Sequence, residues 1–261
     1  LKIAKMNFKG KTILITGASQ GLGAMIAENL SKLGTKLILV SSSELKLKKT
    51  LNKCQNKKIH KIITADFQSN KSILEMTKII KKNYKRLDII MHIAGGGLGI
   101  KKFLPTSNDY LKVFNLNLFS IFEINRELIN LINQAKGGTL FHVGSIAANE
   151  SLGSISYNVS KTALASYVRS LAKSVSKKNI CVTGINPGAF IYKGNAMSRL
   201  KKNNITAYKN FIENRIPSKK MPNAENLIEL IKLLIGDNNM IYSGNMISCD
   251  SGEGNFYRQF I

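Results

Sequence analysis

Ser145, Tyr157 and Lys161 are the residues of this chain whose types and spacing could do chemistry together. Ser145 closes an apolar, strand-like run, Leu140-Phe141-His142-Val143-Gly144. Tyr157 and Lys161 follow on a helical pattern four residues apart, which places them on one face. A tyrosine hydroxyl, with a reference pKa near ~10, is a poor acid–base group at neutral pH. A lysine ammonium beside it favours the phenolate, each unit of lowered pKa being worth about 1.4 kcal/mol. A serine hydroxyl can hydrogen-bond a carbonyl and steady developing oxyanion charge. Together the three suit proton transfer to or from an oxygen whose carbon gains or loses hydride. Lysine is so frequent here that Tyr-x-x-x-Lys arises readily by chance; a second motif has to support it.

That motif is Thr16-Gly17-Ala18-Ser19-Gln20-Gly21-Leu22-Gly23. It follows the apolar run Thr12-Ile13-Leu14-Ile15 and precedes a helical pattern through Met25, Ile26, Leu30 and Leu33. Strand, glycine turn and helix in that order make a phosphate cradle, because glycine admits a sharp turn and the helix start offers unpaired N–H groups. Its place after a buried-type strand points to a dinucleotide site.

These motifs need a frame. Short apolar runs at 12–16, 36–41, 60–65, 87–93, 138–144, 180–185 and 246–249 read as strands. Helical periodicity fills 22–34, 44–54, 70–84, 107–134, 155–178, 196–213 and 223–236. Strict alternation with Val/Ile/Leu-rich strands predicts an α/β fold, a doubly wound parallel sheet of about seven strands with helices on both faces, the Rossmann arrangement. Ligands then bind at the carboxyl ends of the strands, just after residues 16, 41, 66, 93, 144 and 185. At 261 residues, with no linker-like stretch or repeat, the chain reads as one domain over 1–261. Met6 reads as the natural start, with residues 1–5 an upstream remnant.

A hydrophobic fraction of 44% and mean hydropathy of −0.05 are ordinary for a soluble globular protein, and no apolar run is long enough to span a bilayer. Cys54, Cys181 and Cys249 lack metal-like or redox spacing and read as small core residues in a reducing cytoplasm. His60, His92 and His142 form no ligand cluster, so no metal is expected; His92 and His142 read as satisfied core or cleft-edge residues. The formal charge of +24 comes from dispersed lysines without interleaved aromatics, which argues against a nucleic-acid footprint while leaving attraction for anionic partners.

With these motifs in this order, the chain resembles the short-chain dehydrogenase/reductase family over nearly its whole length, from Gly10-Lys11-Thr12 to Asp250-Ser251-Gly252. The resemblance implies nicotinamide-dependent oxidoreduction of a carbonyl or alcohol, with Asn117 joining Ser145, Tyr157 and Lys161 as a catalytic tetrad. Asn115 is the competing asparagine, but the Leu-x-Ser-x-Phe spacing favours Asn117. The implied cofactor contacts are Gly17, Ser19, Gln20, Gly21, Leu22, Gly23, Ser41, Ser42, Asp66, Phe67, Ala94, Gly95, Tyr157, Lys161, Pro187 and Gly188. Two departures stand out: His92-Ile93-Ala94-Gly95 replaces the family's Asn-Asn-Ala-Gly, and Tyr192 stands where relatives carry a cofactor-contacting threonine.

The turn after the second strand, Val40-Ser41-Ser42-Ser43-Glu44, has no aspartate at its start, which favours NADP(H). NAD(H) remains the alternative should Glu44 reach the ribose. Residues 189–222 match the family's variable substrate lid, and Lys193, Arg199, Lys201, Lys202 and Lys209 there suit an anionic substrate if they are not merely solvated. One candidate is a 3-oxoacyl group on acyl carrier protein, with Lys136 and Lys178 matching basic positions for the acidic carrier. A sugar or other polar carbonyl compound of surface-polysaccharide synthesis is the runner-up, and a non-catalytic cofactor- or nucleic-acid-binding protein is the contrasting class. Relatives imply a homotetramer or dimer that pairs helices 107–134 and 155–178; the apolar residues Val113, Leu116, Leu118, Ile121, Phe122, Leu164, Val168 and Leu171 permit this but could equally face the core.

Overall fold

A computed structural model describes residues 6–132 and 137–255; the expected remnant 1–5 and Lys136 lie outside them. Seven parallel strands form one sheet: β1 (Thr12–Thr16), β2 (Lys36–Ser41), β3 (Lys61–Thr64), β4 (Ile89–His92), β5 (Gly138–Val143), β6 (Ile180–Pro187) and β7 (Met246–Cys249). Their order is β3-β2-β1-β4-β5-β6-β7. The order reverses between β1 and β4, and such a switch point opens a crevice at the carboxyl ends of the strands.

The central strands are buried on both faces, as parallel strands under crossover helices must be, while the edge strands β3 and β7 are only half-buried or exposed. Along β1, Leu14 faces one core with Ile38, Ile90, Leu140 and Val182, while Ile13 and Ile15 face the other with Leu37, Leu39, Phe141 and Ile185. The first core is covered by α3 (Asn70–Asn83), α5 (Ser120–Leu128) and α6 (Ile155–Ser174), the second by α1 (Gly21–Ser31) and α9 (Asn226–Ile235). Among the described residues, no helix is long and apolar enough to cross a membrane, and no group of three His, Cys, Asp or Glu could hold a metal.

Two expected helices are interrupted, each by an asparagine. The segment starting at α4 (Ser107–Phe114) passes through a π turn, Asn115–Phe119, before α5. Asn117 Nδ2 donates to the Val113 carbonyl four residues back at 2.8 Å, and the Ser120 N–H reaches back five residues to Asn115. Such bulges cost regular helical bonds and recur at functional sites. The segment 196–213 divides into α7 (Ala196–Asn203) and α8 (Ile205–Arg215) because Asn204 turns its side chain to accept from Ala207 N at 2.9 Å, capping a new helix. Helix α2 (Glu44–Lys53) matches expectation; α6 ends at Ser174 and is followed by a tighter turn, Ser176–Lys178.

Of the two placements open to the apolar residues of these helices, the core takes them. Val113, Leu118, Ile121, Leu164 and Val168 are fully buried, and Leu116, Phe122 and Leu171 pack against the same core. The exposed apolar residues of these helices are Leu111, Phe119, Ile155 and Val159.

Candidate active site

Ser145 stands two residues beyond the end of β5, as the cap of a tight turn, Ile146–Ala148. Its N–H donates to Asn186 Oδ1 at 3.1 Å, so β5 and β6 hold it from two sides. Its hydroxyl accepts from Ala147 N at 3.1 Å and also hydrogen-bonds the Tyr157 side chain. Helix α6 supplies Tyr157 and, one turn on, Lys161. Lys161 is only 3% exposed, donates to the Val143 carbonyl at 2.9 Å, and lies 5.6 Å from the Tyr157 ring centre. Burial pulls its ammonium down to about 8.

Burial also raises the Tyr157 phenol, and the opposing, lowering influence is the Ser145 hydroxyl. The sequence reading gave that lowering role to the Lys161 ammonium. The geometry explains the difference: the ammonium is spent on the Val143 carbonyl, and desolvation weakens its hold on its own proton.

The π turn brings in Asn117, which is fully buried. Its Nδ2 donates to Gly96 O at 2.9 Å as well as to Val113 O, and its Oδ1 accepts from Gly96 N at 3.0 Å. It thereby ties the loop after β4 to the helix. Gly95 is wedged between Asn117 and Lys161; a Cβ there would come within 2.8 Å of Asn117 Oδ1 and 3.3 Å of Lys161 Nζ. Thr16 Oγ1, accepting from the N–H groups of Ile93 and Ala94 at 3.0 and 3.2 Å, joins this loop to the end of β1.

The glycine loop sits beside this group, and its local form fits a dinucleotide phosphate. Gln20, the residue before α1, gives no side-chain cap, and the first turn holds no acid, so no acidic side chain competes with a phosphate for its N–H donors. Gly23 packs so closely on the Gly17 carbonyl that a Cβ would collide with it, which keeps the loop tight. Leu22 is buried and offers its backbone alone, whereas Ser19 is half-buried and Gln20 exposed.

Ser41 ends β2, Ser42 follows it exposed, and Ser43 caps α2 by accepting from Lys46 N at 3.4 Å. Asp66 is turned into the loop after β3, its Oδ1 accepting from Gln68 N at 2.9 Å. Phe67 is buried in the core, so its backbone, not its ring, faces any ligand. Pro187 and Gly188 end β6, with Gly188 N donating to Cys249 O at 3.4 Å. The structure therefore gathers the tetrad, the glycine loop and these strand ends along one edge of the sheet.

Sequence reasoning missed Lys46. Its Nζ donates to Gln20 Oε1 at 3.2 Å, which sets a cation between the glycine loop and the serine turn. The signal was there: the third position after a serine N-cap points back toward the preceding strand end. It missed Glu253 too, which is buried and accepts from Ala189 N while pairing with Arg215 at 3.1 Å. Those contacts pin both ends of the segment 189–215. Lys178 lies before the amino end of β6, about 25 Å of strand rise from the site.

His92 and His142 are core residues, but each is only half satisfied. His92 and His142 stack at 4.9 Å on adjacent strands. His92 Nε2 meets Asn125 Oδ1 and His142 Nδ1 meets Thr183 O, while His92 Nδ1 and His142 Nε2 have no partner. Burial holds both rings neutral, His92 at about 4.

Known proteins share this fold. Residues 11–203 match the family model for short chain dehydrogenase. The chain is 31% identical over 250 residues to a 3-oxoacyl-acyl-carrier-protein reductase of Buchnera aphidicola, covering 95% of this chain and 98% of that one. It is 35% identical over 186 residues to the reductase of the same name from Rickettsia typhi, covering 70% and 74%. Its fold superposes on the Pseudomonas aeruginosa RhlG/NADP active-site complex with a TM-score of 0.85 at 26% identity, covering 94% and 97% of the two chains. The chain belongs to the short-chain dehydrogenase/reductase family of oxidoreductases.

Proposed function

We propose that this protein is an NADPH-dependent reductase of a 3-oxoacyl substrate carried on acyl carrier protein. The observation that carries the reading is the meeting of Ser145, Tyr157, Lys161 and Asn117 with the glycine loop at neighbouring strand ends. Bound nicotinamide would supply the hydride, and every other duty falls to side chains of the chain. Ser145 donates to the substrate carbonyl oxygen and Tyr157 gives that oxygen its proton. Lys161, with its pKa at about 8, is mostly protonated at neutral pH and keeps positive charge beside Tyr157 as the proton leaves. Asn117 has its amide fully engaged by Gly96 and Val113, which makes it a positioning residue for the Gly95 loop and Lys161.

Three features favour NADPH. Residues 41–43 carry no acid to repel a 2′-phosphate; Glu44 is committed to Lys48 at 2.6 Å; and Lys46 brings a cation beside Gln20. The NADP-bound relative supports the same preference. The acyl-carrier substrate rests on the names of the curated relatives, with a net charge of +24 suiting an acidic carrier. Segment 189–222 would act as the substrate lid of a single domain. The half-buried Tyr110 and Phe114 with the exposed Leu111 and Phe119 supply an apolar surface for self-association of a cytoplasmic homo-oligomer.

Titration with NADPH and with NADH, followed by nicotinamide fluorescence, tests the cofactor. Oxidation of NADPH by acetoacetyl-acyl carrier protein, against a panel of ketoses, tests the substrate. The reading expects tighter binding of NADPH and turnover of the thioester. Tighter NADH binding, or turnover of ketoses alone, would replace it.

A further inference from the structure

Tyr192 lies on the glycine loop. Its ring and hydroxyl cover Gly21 so closely that a Cβ at that position would run into both. The hydroxyl accepts a hydrogen bond from the Leu22 N–H, a donor of the first turn of α1. The Arg199 guanidinium approaches the same oxygen, and Phe190 stacks on the ring with centroids 5.7 Å apart. The tyrosine thus serves as the cap that Gln20 does not provide.

We infer that Tyr192 is a displaceable stopper of the cofactor site, holding the anion seat at the start of α1 until a dinucleotide phosphate takes it. The inference rests on the nicotinamide-cofactor reading above. A phenol oxygen and a phosphate oxygen compete for one N–H direction, and the charged acceptor makes the stronger bond. Displacement is local. Ile191 is anchored by its bonds to Pro222 O (2.8 Å) and from Ala224 N (3.2 Å), and Asn195 is fixed by capping α7 through Ser198 N at 2.8 Å. Between those anchors lie Tyr192, Lys193 and Gly194, the last at φ 90°, a conformation in which glycine turns freely. Gly194 is bonded to the first turn of α7, its N–H donating to Ser198 Oγ at 3.0 Å and its carbonyl accepting from Arg199 at 2.6 Å, so filling the seat exchanges these contacts of Tyr192–Gly194 while the anchors at Ile191 and Asn195 stay in place.

The test measures NADPH and NADH affinity by fluorescence and cofactor-free thermal unfolding, for wild type, Tyr192→Phe and Tyr192→Thr. Removing the hydroxyl should tighten NADPH binding about three- to tenfold, the worth of one hydrogen bond no longer surrendered. The same change should lower the cofactor-free Tm by about 2–4 °C through loss of the cap. Tyr192→Thr should tighten binding at least as much, since the ring goes too. Unchanged affinity in both variants overturns the stopper, and weaker affinity makes Tyr192 a direct ligand and overturns it equally. If no protein in the set bound either nucleotide, the cofactor reading itself would fall, and the stopper with it.

Discussion

Replacing Lys161 by methionine should stabilise the protein while abolishing its activity. A lysine moved from its ordinary 10.5 to about 8 by burial costs the fold about 3 kcal/mol at pH 7. Methionine fills a similar volume without a charge to desolvate. The Val143 carbonyl loses a charged donor in exchange, worth about 1.5–2 kcal/mol. The net gain is about 1–1.5 kcal/mol, or a Tm higher by about 3–4 °C for a chain of this size. The sign of the pH dependence follows from linkage. Because the folded pKa is depressed, the unfolded chain binds more protons than the folded one between about pH 8 and 10.5, and stability from this group rises with pH across that window. At pH 9.5 the wild-type penalty has shrunk to about 1.4 kcal/mol, so the variant's advantage should nearly vanish. The assay is thermal unfolding of both proteins without cofactor at pH 7 and 9.5, where other titrations cancel in the difference. A variant less stable than wild type at both values would show that Lys161 is not paying a desolvation penalty, and the argument would fail.

Further expectations concern the residues around it. Asn117→Ala strands the Gly96 N–H and the Gly96 and Val113 carbonyls in the interior, so it should cost about 3 kcal/mol and lower the Tm by about 6–10 °C, with turnover falling alongside; calorimetry and initial rates check both. Gly23→Ala drives a methyl into the Gly17 carbonyl and should cost at least tenfold in NADPH affinity, read by fluorescence titration. Lys46→Ala should weaken NADPH about three- to tenfold and leave NADH nearly unchanged; an equal effect on both would remove Lys46 from the 2′-phosphate.

The sheet was largely legible because parallel strands buried on both faces read as plain apolar runs. Strands 12–16, 36–41 and 246–249 begin and end where those runs do. Side chains that turn back on the backbone were not legible. Asn204 and Asn117 both sit in good helical periodicity, yet one starts a new helix and the other opens a π turn, because each amide competes for main-chain partners that periodicity ignores. At the site, order along the chain was enough to pick out Ser145, Tyr157 and Lys161, since each follows a strand end or a helical spacing. Lys46, Glu253 and the seat taken by Tyr192 depend on contacts 26, 64 and 171 residues apart, and no local pattern encodes them. The inward-facing Leu164 and Val168 show the same limit: an apolar stripe does not say whether it meets its own sheet or a second subunit.

The most direct measurement is NADPH oxidation with an acetoacetyl thioester by wild type and Tyr157→Phe, with the NADPH dissociation constant taken on the same samples. The phenylalanine keeps the ring packed on α6 and removes only the hydroxyl that Ser145 contacts. The account predicts cofactor affinity within about twofold of wild type and turnover lower by at least about a thousandfold, within the range general acid catalysis supplies. Turnover close to wild type in the variant would contradict it.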